Sequence, residues 1–165
     1  MENRQRKLVG GLTIVELLIA LAISVVLLTA VAVAFNASIT NYQQNQDIFK
    51  TINTSRQALF RMTTHIRTAT AIQTAEAANQ CSLVTADSQD ITYRYNSTDN
   101  KLYLVTNDID YVLCDNVTAM TFTRDTGIDD EGFAYVKSVQ ISMTVESGRV
   151  SKTLCAAAVV RRNLQ

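Results

Sequence analysis

Glu16 is the first residue whose chemistry demands an account. It sits in "GGLTIVELLIALAISVVLL", an apolar run that starts at Gly10. A charge at membrane depth costs roughly 2.5 kcal/mol or more, so carboxylates there are rare and usually have a task. Three other groups carry potential chemistry. Cys81, Cys114 and Cys155 are thiols, an odd number, so they allow one internal pair at most. Asp125, Asp129, Asp130 and Glu131 form the one dense acidic patch, within "RDTGIDDEG". They are candidate oxygen ligands for a hard cation such as Ca²⁺, but their spacing is not that of an EF-hand loop, and a solvated loop is the preferred reading. His65 is the lone histidine, and one His makes neither a triad nor a zinc site. No phosphate loop, Ser-His-Asp pattern or paired-carboxylate motif is legible. The chain reads as a non-enzyme without a required cofactor.

The elements that must hold these residues follow from hydropathy. Arg4, Arg6 and Lys7 against Glu2 make a basic head over residues 1–11. From Leu12 to Phe35 the chain is apolar except for Thr13, Glu16, Ser24 and Thr29. As a helix that stretch is roughly 36 Å long, enough to cross a bilayer core. The basic head then stays in the cytoplasm and the rest of the chain lies across the membrane. With 15 basic and 15 acidic side chains, nothing in the net charge points to nucleic acid. Pro is absent and Gly scarce, which suits a long uninterrupted helix.

Three readings of the N-terminus compete. One is a plain single-pass anchor. Another is a secretory signal peptide cut after Ala34, within the small-x-small triplet Ala32-Val33-Ala34. An ordinary h-region, however, spans 7–15 residues and has no reason to contain Glu. The third reading accounts for more residues. "GLTIVELLIALAI" resembles the start of type IV pilins and of the pseudopilins of type II secretion systems. The resemblance implies a basic leader ending at Gly11, cleavage between Gly11 and Leu12 by a prepilin peptidase, and N-methylation of Leu12 by the same peptidase/methyltransferase. It makes Glu16 the fifth mature residue, where the family places a subunit-assembly carboxylate that meets the charged N-terminus of a neighbour. Leu12 replaces the usual Phe, and the helix-kinking Pro of many major pilins is missing. An aliphatic residue is a common variant at the first position, and the missing Pro fits a minor subunit with an unbroken helix. "VTAMTFTRD…VKSVQISMTV…VVRRN" also looks like the J-type pseudopilin and the W-type minor pilin.

Beyond Phe35 the helical pattern continues. Phe35, Tyr42 and Phe49 are spaced by sevens, as are Ile52, Leu59 and Ile66, which predicts an amphipathic helix to about Ala75. From Cys81 on the signal is strand-like. "DITYRYN" and "KLYLVT" flank the polar turn "STDN", and Val139, Ile141, Met143 and Val145 alternate with polar residues. The expected fold class is α+β: a long N-terminal helix packed on an antiparallel β-sheet head of six or seven strands. The expected divisions are a leader at 1–11, a transmembrane half-helix at 12–35, an amphipathic half at 36–75 and a head at 76–165. Cys81 and Cys114 are the disulfide candidates, in an extracytoplasmic head where such bonds can form.

The family resemblance implies further partners: other pilin or pseudopilin subunits, an inner-membrane assembly platform and membrane lipid. It implies an inner-membrane precursor with its head outside the cytoplasm, then a pilus or a periplasmic pseudopilus. The rival function is a membrane-anchored binding domain that never polymerises.

Overall fold

The structure, a computed structural model, describes Gly11 and residues 13–161. One helix leads eight strands: α1 (Ile14–Thr68), β1 (Ala71–Ile72), β2 (Gln80–Val84), β3 (Asp90–Asn96), β4 (Lys101–Thr106), β5 (Ile109–Cys114), β6 (Val117–Ile128), β7 (Ala134–Ser147) and β8 (Val150–Val159). The fold class is α+β, as expected. The chain divides into two compact units at Gln43/Gln44.

The first unit holds the N-terminal part of α1. Its side chains from Ile14 to Phe35 are exposed throughout. One stretch reaches a mean hydropathy of 2.9, so the helix is long and apolar enough to cross a membrane. Glu16 is the one formally charged residue between Ile14 and Gln46.

In the second unit the helix changes character. Ser55, Ala58, Leu59, Met62 and Ile66 are buried. They recur at the three- and four-residue intervals that put one stripe of a helix against a core. The expected heptad line is therefore only half right. Leu59 and Ile66 are core residues, whereas Phe49 is 67% exposed. Ten residues at 3.6 per turn place Phe49 about 80° round the helix from Leu59. The helix also ends at Thr68 rather than near Ala75. Thr70 donates its backbone N–H to Val84 O at 2.9 Å, and Ala71 and Ile72 pair with Val84 and Leu83. Strand pairing claims a segment that helical periodicity had assigned to α1.

The head holds two antiparallel sheets rather than one. The first has the order β1-β2-β3-β4-β5 and the second β6-β7-β8. The chain leaves the first sheet through Asp115 and Asn116. Asn116 has φ +61°, a left-handed conformation that Asn tolerates better than most residues. Its carbonyl accepts from Glu146 N–H at 2.9 Å. The expected β3–β4 hairpin is present, with Asn96 opposite Lys101. The β4–β5 connection is the pair Asn107-Asp108, both with positive φ. Two successive left-handed residues suit the twist of a two-residue hairpin.

One core joins both sheets to the helix stripe. Met62, Ile66, Tyr93, Leu102, Val117, Val139, Ile141 and Met143 are essentially inaccessible to solvent. Val139, Ile141, Met143 and Val145 all point inward from β7, as their alternation requires.

Candidate functional site

At the helix start the sequence Thr-Ile-Val-Glu folds into a capping box. Thr13 precedes the first helical residue. Its backbone N–H donates to Glu16 Oε2 at 3.0 Å, and its hydroxyl donates to the same oxygen at 3.0 Å. Glu16 N–H in turn approaches Thr13 Oγ1 at 3.3 Å. Each residue satisfies a backbone donor that the first helical turn leaves unpaired. The carboxylate also lies where the helix dipole is positive. Both bonds fall on Oε2. The Thr-x-x-Glu spacing is a signature readable in sequence, and it gives Thr13 a definite role. Gly11 lies outside the helix. Leu12, the expected methylation site, lies outside the described residues.

The head does not bring the other candidates together. Cys81, Cys114 and Cys155 are free thiols, so the expected Cys81–Cys114 bond does not form. Topology explains the correction. Cys81 is on β2 and Cys114 on β5, with β3 and β4 between them. Three interstrand steps span about 14 Å, far beyond the 4.4–6.8 Å Cα separation of a disulfide. Both thiols are buried. Burial pushes the Cys81 pKa up to about 11. Cys114 is also raised by burial, against the effect of a 3.3 Å hydrogen bond with Ser55 Oγ. That contact fastens the helix stripe to β5.

The acidic patch is a turn at the β6–β7 junction. Asp129 Oδ1 accepts from Glu131 N–H at 3.1 Å and from Phe133 N–H at 2.7 Å. It is thus occupied in shaping the turn, which Gly132 completes at φ +88°. Asp125 lies before the turn, on β6, and Asp130 and Glu131 are exposed on it. Among the described residues no group of three or more His, Cys, Asp or Glu is placed to hold a metal ion. His65 is a packed residue: its Nδ1 lies 2.8 Å from the hydroxyl of Tyr93. Partial burial, with Arg61 nearby, holds its pKa below the usual histidine value.

One polar cluster has no local signature in the sequence. Glu76, in the connection before β2, and Arg124, on β6, form an ion pair at 3.2 Å with side chains only 11% and 7% exposed. Ser82 N–H donates to Glu76 Oε2 at 2.8 Å and Gln80 Nε2 to Oε1 at 3.1 Å. Arg124 Nη2 also donates to Gln80 O. Burial pushes the Glu76 carboxyl up, but the bonds from Ser82 and Gln80 and the Arg124 charge together outweigh it and hold the pKa below the usual value. The pair ties the first sheet to the second. Its partners are 48 residues apart, and only the folded register brings them together.

The architecture is pilin-like: a long apolar N-terminal helix packed on antiparallel sheets. No protein-family model, no characterised protein and no solved structure matches the chain.

Proposed function

We propose that the chain is a minor pilin or minor pseudopilin. On this reading it is inserted with its N-terminus in the cytoplasm, cut between Gly11 and Leu12, methylated on Leu12 and built into, or primes, a pilus or secretion pseudopilus. The observation that carries the proposal is the helix from Ile14 to Phe35, apolar and exposed on every side, with one carboxylate at its start. Such a surface needs lipid or other helices around it. Inside a bundle of parallel copies, Glu16 can meet the Leu12 amine of a neighbour, because its Oε1 lies outside the two bonds to Thr13. Two charges that are costly alone attract strongly in a medium of low dielectric constant.

A second reading has its own support. The capping box gives Glu16 a task within its own chain, which a plain membrane-anchored domain also needs. The mass of the chain purified from its host separates the two. A mature start at Leu12 bearing one methyl group is the expected result. A leader-intact mass would leave the anchor, and a start at Phe35 would mean a secreted protein.

A further inference from the structure

The second unit carries two exposed surfaces of opposite charge, each with large apolar side chains at its centre. The first is the side of α1 turned away from the core. Phe60 is 75% exposed there. Arg56 lies one turn before it, Arg61 beside it and Arg67 two turns after it, all exposed. Among the described residues none of these three arginines is in a salt bridge. Between residues 44 and 68 the helix has four basic residues against one acidic.

The second surface is the β6–β7 turn. Ile128 and Phe133 are 74% and 66% exposed, and Asp130 and Glu131 stand between them in sequence, also exposed. Asp129 fixes the turn through its two backbone bonds, so its neighbours are presented on a shaped tip. Residues 69–161 carry twelve acidic side chains against seven basic. An aromatic ring flanked by cations therefore faces solvent on one side of the head unit, and an aromatic–aliphatic pair flanked by anions does so elsewhere on it. Isolated exposed apolar residues are ordinary; two apolar patches with opposite charge around them are complementary in the sense that steers association.

We propose that the α1 face centred on Phe60 docks the β6–β7 turn of a second copy of this chain. Phe133 and Ile128 pack beside Phe60, and Asp130 and Glu131 pair with Arg56, Arg61 and Arg67. Arg also favours the face of an aromatic ring, so Phe133 gains a further contact. The contact is heterologous: each copy offers one surface to the copy ahead and the other to the copy behind. The inference deepens the assembly reading and rests on it for the setting in which copies meet side by side.

The test is isotope-mixed cross-linking of the full chain in membranes. Arg56→Lys keeps the charge and supplies an amine for a zero-length carbodiimide link to Asp130 or Glu131. Light and ¹⁵N-labelled chains are mixed before reaction, and the mass of the mature N-terminus is read on the same sample. The expected result is linked peptides of mixed isotope joining position 56 to residue 130 or 131. Arg61→Glu with Arg67→Glu should lower that yield at least about fivefold, because rim attraction becomes repulsion. Phe60→Ala should lower it without any change of charge. The proposal is overturned if linked pairs come only from single chains, if none form, or if charge reversal leaves the yield unchanged. A leader-intact mass defeats the assembly reading instead, so the two failures are distinguishable.

Discussion

Glu16 and Glu76 are the same side chain in opposite circumstances. Glu76 is nearly enclosed, and everything it needs comes from its own chain: Ser82, Gln80 and Arg124. Glu16 is exposed, and its own chain supplies only Thr13. Yet Glu16 opens a helix whose next twenty residues are suited to lipid. Both carboxylates accept a backbone N–H, and the difference lies in the counter-charge. Glu76 has Arg124. Glu16 has no cation among the described residues within its own chain. A carboxylate paired inside its chain serves the fold. On the proposed assembly reading, Glu16 takes its counter-charge from a neighbouring chain, and that contrast with Glu76 underlies the proposal.

The contrast can be broken first at Glu76. Arg124→Ala leaves a buried carboxylate without its cation, which typically costs about 3–5 kcal/mol. Thermal or denaturant unfolding of the full chain in detergent should show a large loss of head stability. Adding Glu76→Leu should recover much of it, since the stranded charge is gone. If the single variant is as stable as the parent, the pair does not tie the sheets together.

Core packing comes next. Met62 is fully buried at the centre of the helix stripe. Met62→Ala should destabilise the head by about 2–5 kcal/mol, whereas Phe60→Ala should leave stability within about 0.5 kcal/mol. Equal effects of the two substitutions would contradict the assigned helix faces.

The smallest expected effect is titration of His65. Its pKa is lowered in the fold by burial, with Arg61 adding repulsion. The unfolded chain therefore takes up the proton more readily. Stability is fully present above the unfolded value of about 6.5 and declines as pH falls from there toward the folded pKa. The melting temperature should drop modestly between pH 7.5 and 5.5, and His65→Gln should flatten that slope. Glu76 does not interfere, because its carboxyl titrates below this window.

Much of this molecule is legible in its sequence where the pattern is local. The apolar span, the β3–β4 hairpin and the inward alternation of β7 all express periodicities of a few residues. The Thr13–Glu16 box is equally local, although a reading focused on membrane depth passes over it. What periodicity misses depends on distant partners. The helix stops at Thr68 because residues 70–72 find β2. Phe49 falls outside the stripe because its line is three residues, about 60° of helix turn, away from that of Ile52, and the next heptad to Leu59 adds about 20° more. Cys81 and Cys114 look pairable until the order of five strands separates them. The Glu76–Arg124 pair has no sequence signal, since neither residue has a neighbour that announces the other.

The central claim, that Glu16 acts through its charge on a neighbouring copy, is tested most directly by Glu16→Gln. Glutamine can still complete a capping box with Thr13, so insertion and leader removal should persist. The charge is lost, and with it the attraction to the Leu12 amine of the adjoining chain. The measurement is co-purification of processed, isotope-labelled Glu16→Gln chains with filament partners, set against the parent chain in the same cells. Normal processing is expected, with a loss of incorporation of about two to three powers of ten, the equivalent of breaking one side of a buried pair. Incorporation equal to the parent would show that Glu16 serves only to cap its own helix.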